Sequence, residues 1–123
     1  MPEAPPRFAV TLAGRIAAQA RPLAVLMFGS WSKGIADIHS DLDLIVVLDR
    51  PPTPALRGEL MDVAASVPVG VDLLFWTPRD LAAARSDPYG FRGSALHSAV
   101  TLYSRSEASP LLAPRETARR HDP

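Results

Sequence analysis

The 123-residue chain contains no cysteine. A disulfide framework and a thiolate metal site are therefore both excluded. It has no net charge either, because 13 Lys+Arg balance 13 Asp+Glu. Nothing in the overall balance asks for nucleic acid or an anionic membrane. An anionic substrate would have to be met locally, by backbone dipoles, a bound cation or a few basic side chains. Long apolar runs are missing too, and none approaches the roughly 20 residues that a bilayer span needs. The opening "MPEAPPRFAV" carries an early acid and three prolines in place of a charged-then-apolar export pattern. These absences lead to the expectation of a reduced, cytoplasmic setting, with no membrane and no direct nucleic-acid partner.

What is present suits one domain of ordinary size with a real core. Apolar residues make up 47% of the chain, typical of globular proteins. Residues 1–7 read as a disordered lead-in. From Phe8 to Gln19, the spacing of Phe8, Leu12, Ile16 and then Ala20 predicts an amphipathic helix, ended by Arg21-Pro22. "LAVLMF", Leu23 to Phe28, is a continuous apolar run expected of a strand buried on both faces. Gly29-Ser30 breaks it, with Ser30 placed to cap a short helix reaching about Gly34. A second strand is expected over Asp41 to Leu48, a helix over Ala55 to Ser66, and a third strand over Val69 to Trp76. "TPRDLAAAR" opens with Thr77 as N-cap and Pro78 at the first helical position. "FRGSALHSA" reads as a last helix and "VTLYS" as a short extended piece. The domain is thus expected over residues 8–105. Residues 106–123, rich in proline and poor in apolar side chains, read as a flexible tail or a partner-binding segment. Alternating helices and strands predict an α/β (α+β) domain around a small mixed sheet with flanking helices.

The acids carry the chemistry. Residues two apart on a strand share a face, roughly 6.6 Å from each other. Asp41 and Asp43 therefore fall on one face with Ile45 and Val47, and Leu42, Leu44, Val46 and Leu48 fall on the other. Two carboxylates at a strand's end, with no cation between them, make a hard-oxygen site suited to Mg²⁺. Asp72 lies near the start of the third strand. If the two strands are neighbours, it reaches the same cluster, and three carboxylates could hold two ions about 4 Å apart for in-line phosphoryl-type displacement. Gly29 lets the backbone approach a ligand closely, and a helix starting at Ser30 offers N–H groups and a hydroxyl to phosphate oxygens. The natural ligand of such a pairing is a metal-bound nucleoside triphosphate. Around it, Asp37 reads as a solvated turn residue, and His39 and His97 as polar surface. Lys33 is an exposed residue near enough to the turn for a phosphate contact. Trp31 could stack on a base or pack over the sheet edge, and Phe75 and Trp76 read as core.

"GSWSKGIADIHSDLD" fits a Gly-Ser, ten-residue, Asp-x-Asp signature: Gly29-Ser30, then Trp31 to Ser40, then Asp41-Leu42-Asp43. It resembles the minimal nucleotidyltransferases (MNT) of the polymerase β-like superfamily, small proteins often encoded beside a toxin of the HEPN fold. Asp72 stands where that family's third acid is expected. "DPYGFRGSALHSAVTLYSR" looks like its closing helix and Leu-Tyr strand, so the resemblance spans about Phe8 to Arg105. It implies the nucleotidyltransferase (polymerase β-like palm) fold. It further implies that Asp41 and Asp43 ligate two Mg²⁺ ions, and that Asp72 ligates the catalytic one and helps deprotonate the acceptor hydroxyl. Gly29 and Ser30 would hold the β- and γ-phosphates of ATP. The chain departs from the pattern at Trp31, where many relatives carry arginine; Lys33, two residues on, occupies an often basic position. The implied reaction is transfer of AMP from ATP to a hydroxyl, and the implied acceptor is a tyrosine of a HEPN toxin. Two alternatives stand beside it: modification of a small molecule such as an aminoglycoside, within a possible homo-oligomer, and neutralisation of the toxin by binding alone.

Overall fold

The computed structural model describes residues 5–37 and 39–105. The expected tail, and the lead-in before residue 5, lie outside the described residues. Helix α1 (Arg7–Ala20) follows from Ala9, Leu12, Ala13 and Ile16, which recur at intervals of three and four and are all buried. Phe8 and Ala20, expected on the buried face, are only half-buried. The two alanines take the centre of that face, where small side chains let the helix lie close on the sheet. Arg21 stops α1 in the left-handed conformation (φ 50°), donating its N–H to the Ala17 carbonyl at 3.0 Å.

Strand β1 (Ala24–Phe28) is buried along its whole length because it has a strand on each side and a helical layer on each face. Three further strands complete the sheet: β2 (Leu42–Val47), β3 (Val71–Trp76) and β4 (Val100–Ser104), in the order β3-β2-β1-β4. β1 runs antiparallel to β2 and β4, whereas β2 and β3 are parallel. A parallel pair needs a crossover, supplied here by α2 (Pro54–Ala64). Thr53 starts α2 by accepting the Leu56 N–H at 3.1 Å, with Pro54 at the first helical position. Both strands are shorter than expected, but their ladder continues past the ends: Leu42 donates to the Gly70 carbonyl and Leu48 to that of Trp76, each at 2.8 Å.

The alternation along β2 decides the layers. Leu42, Leu44, Val46 and Leu48 pack with Leu12, Ile16 and Leu60 beneath α1 and α2. Ile45 and Val47 face the other way, joining Leu26, Phe28, Trp76, Leu81 and Ala95. Helices α3 (Pro78–Ser86) and α4 (Phe91–Ser98) cover that second face. A reciprocal capping box of Thr77 and Asp80 opens α3. The other oxygen of the Asp80 carboxylate binds Arg92 at 3.2 Å, tying α4 to α3. Trp76 is core as expected. Phe75 is half-buried at the sheet edge, with the Arg57 guanidinium 4.7 Å over its ring. No polar or charged residue is buried among those described. No helix among the described residues is long and apolar enough to cross a membrane.

Candidate active site

β1 ends at Phe28 in a tight turn. Gly29 has φ +75°, a backbone conformation that costs an L-residue roughly 1–2 kcal/mol. Space forbids a side chain there as well, since a Cβ would run into the Asp43 carboxylate. The residues that follow form a 3-10 turn, Gly29–Trp31, with Phe28 as its N-cap. This corrects the expected helix capped by Ser30. The left-handed glycine closes the chain immediately after the strand, so the turn begins one residue earlier and stays short. Lys33 and Ile35 donate backwards to the Ser30 carbonyl at 3.2 and 3.1 Å, and Gly34 (φ +74°) ends the winding. The Ser30 hydroxyl is half-buried and makes no hydrogen bond to another described residue. Lys33 is exposed beside it.

Trp31 packs inward. Its ring stands edge-on to Phe8 with centroids 5.3 Å apart, and Nε1 donates to the Ser40 carbonyl at 3.2 Å. The indole thus bridges the glycine turn and the residue just before Asp41, which makes it a structural pin of the loop. Asp37 is the turn residue it was expected to be, its Oδ1 accepting the His39 N–H at 2.8 Å. His39 and His97 are exposed.

The acids meet through the sheet register. Asp43 is the Cα partner of Phe28 on β1 and of Asp72 on β3. Phe28, Asp43 and Asp72 therefore form one row across the face that α3 and α4 cover further along. Asp43 is half-buried, whereas Asp41 and Asp72 are exposed. The Asp43 carboxyl is held above the ordinary carboxylate range, first by burial, then by the Asp72 charge and a side-chain hydrogen bond with Asp72, and then by the Asp41 charge. Asp41 sits just before β2 and lies against Gly70, where an added Cβ would stand 2.5 Å from its Oδ1.

The three carboxylates are not gathered into one cage. Among the described residues, no group of three His, Cys, Asp or Glu side chains is placed to hold a metal ion; Asp43 pairs with Asp72, and Asp41 leans towards Gly70. The donor set nevertheless fits a hard divalent cation. All three groups offer carboxylate oxygens, and the neighbouring acidic charges that hold the Asp43 carboxyl above its ordinary range would be offset by a bound cation. Gly70, two residues before Asp72, was missed by sequence reasoning, although a glycine just ahead of an acid-bearing strand is a readable signal. Phe91 was missed as well, and no local pattern marks it. Its ring stands edge-on to Phe28, 6.3 Å between centroids. With Phe28, Asp43, Asp72 and Leu74 it lines a cleft of about 400 Å³.

Two acids thus stand in register on parallel strands, beside a left-handed glycine turn. The family signature described as "Polymerase beta, Nucleotidyltransferase" matches residues 12–108, and the chain belongs to that family. No curated protein matches the chain in sequence. Among solved structures, a toxin–antitoxin complex with AMP-PNP is similar at 19% identity and TM-score 0.59, covering 85% of this chain and 80% of that one. A mutant of the MntA toxin–antitoxin complex matches at 17% identity, TM-score 0.59 and the same coverages. A tri-AMPylated HEPN toxin from Shewanella oneidensis with its MNT antitoxin matches at 18% identity and TM-score 0.52, covering 84% and 78%. At these identities the likeness is one of fold.

Proposed function

We propose that this protein is an antitoxin that transfers AMP from ATP to a tyrosine hydroxyl of a HEPN-fold toxin encoded beside it. The observation that carries the reading is the Asp43–Asp72 pair, in register across β2 and β3 and next to the Gly29 turn. The family gives the reaction class. The choice of nucleotide and acceptor is supported by two similar structures, one described as holding AMP-PNP and the other as an AMPylated toxin.

Each residue has a role in this scheme. The turn at Gly29 and Ser30 binds the β- and γ-phosphates through N–H groups and the serine hydroxyl. Lys33 adds positive charge at the same end. Asp41, Asp43 and Asp72 would hold Mg²⁺, which when bound offsets the charge of the triphosphate and of these acids. Asp72, on the outer strand and exposed, takes the proton of the acceptor hydroxyl. Trp31 keeps the phosphate turn and the acid strand at a fixed separation.

The test is to incubate the purified protein with Mg²⁺, ATP labelled on the α-phosphate, and the neighbouring HEPN protein. Label on a toxin tyrosine is the expected result, and its loss in Asp41→Asn/Asp43→Asn should accompany loss of protection in cells. A toxin that stays unlabelled, or a double mutant that protects as well as the parent, would overturn the catalytic reading and leave binding alone as the mode of neutralisation.

A further inference from the structure

Beside the carboxylate cleft lies a second, larger one of about 600 Å³, within the range of ligand sites. Leu74 and Trp76 make its floor, Ala83 and Phe91 its walls, and Asp87 and Arg92 its polar rim. Leu74 and Phe91 also line the carboxylate cleft, so the two spaces adjoin across these side chains. Leu74 and Trp76 follow Asp72 at intervals of two along β3, and the apolar floor therefore runs directly on from that acid. Phe91 is 67% exposed, an unusual position for a phenylalanine whose ring is also held edge-on against Phe28. It is the first residue of α4, and the Arg92–Asp80 bridge anchors that helix end.

The direction of attack gives this trough an occupant. In-line displacement places the entering oxygen opposite the leaving group. On the proposed function, on which this inference rests, pyrophosphate leaves at the Gly29 turn after β1. The row Phe28, Asp43, Asp72 runs from that turn across β2 to β3, the outermost strand. The entering oxygen must then arrive from the β3 side, over Asp72, where the trough opens. We infer that the trough is the acceptor subsite, and that Phe91 selects an aromatic hydroxyl by seating its ring against Leu74 and Trp76.

The phenol oxygen forms the new bond to the α-phosphorus as the bond from that phosphorus to the pyrophosphate oxygen breaks. The phenolic proton passes to the Asp72 carboxylate and on to water. The products are the aryl-AMP ester and pyrophosphate, and no oxidant or reductant is needed.

Phe91→Ala should raise the KM for the toxin acceptor about tenfold or more through loss of ring contacts. It should leave kcat within about threefold and the Kd for Mg²⁺–AMP-PNP within about twofold. Phe91→Leu, which keeps an apolar contact to Phe28, should fall between the two. Ala83→Trp, at an exposed helix position, should block the trough by bulk and reproduce the acceptor defect without touching the core. Tyr89→Ala is the control: the residue is 97% exposed, lines neither cleft, and should transfer as the parent does. Parent protein that transfers normally, with Phe91→Ala and Ala83→Trp unchanged, overturns the inference. Weakened AMP-PNP binding in those two variants also overturns it, and assigns the trough to the nucleobase. Absence of transfer by the parent itself counts against the proposed function instead.

Discussion

Replacing Gly29 by alanine probes the site through its backbone. Two penalties act at this position. The left-handed φ of +75° costs an alanine roughly 1–2 kcal/mol, and its Cβ would collide with the Asp43 carboxylate. A side chain can swing aside where a backbone cannot, so the dihedral term governs stability and the collision governs function. At about 4 °C of Tm per kcal/mol for a domain near this size, Gly29→Ala should melt about 4–8 °C below the parent. Its Asp43 would be turned out of the row with Asp72, and affinity for Mg²⁺–AMP-PNP should fall. Gly70→Ala separates the two effects. It carries no left-handed φ, but its Cβ would press on Asp41, so binding should suffer with little change in Tm. Gly58→Ala, inside α2 with nothing within 4 Å of the new atom, should gain about 0.5–1 kcal/mol and bind as the parent does. The assays are thermal melts followed by circular dichroism and calorimetric titration with the nucleotide analogue. A Gly29→Ala protein that melts with the parent would refute the strained turn on which the site geometry depends.

Other substitutions test the remaining parts. Because the Asp43 carboxyl is raised, the folded state binds its proton more readily than the unfolded chain. Stability without divalent cations should therefore fall as pH rises through the interval just above the ordinary carboxylate range, and return on acidification. Asp43→Asn should flatten that slope in pH-dependent melts and stabilise the metal-free protein near neutrality by under about 1 kcal/mol, since the half-buried group keeps contact with solvent that screens its charge. Trp31→Phe keeps the ring against Phe8 and loses the bond to Ser40; urea titration should register about 1 kcal/mol of destabilisation. Leu44→Ala, at a fully buried position, should cost about 2–5 kcal/mol in the same assay.

Local chemistry made much of this molecule readable from its residues. The buried run of β1, the Thr77-Pro78 helix start, and the alternation along β2 each depend on neighbours a few positions away, and each lies close to where it was expected. The same period of two that turns Leu42 and Leu44 to one layer brings Asp43 to the opposite face, whereas Asp41 lies outside β2 and leans towards Gly70. Two local readings failed in detail. The Gly29 turn winds one residue earlier than a serine cap implied, and α2 runs over Pro54–Ala64 where Ala55 to Ser66 was expected.

What no stretch of sequence could decide was the pairing of strands far apart in the chain. Asp43 and Asp72 become register partners only because α2 carries the chain back to lay β3 parallel to β2, and a slip of one residue would turn Asp72 to the other face. Trp31 had two roles open to it until the fold brought Phe8 and the Ser40 carbonyl within its reach. Phe91 carries no signal at all in its own neighbourhood, since its place above the acids is set by the docking of α4 on α3. Periodicity and capping are local energies and can be read along the chain; the meeting of side chains from distant segments is set by how whole layers pack.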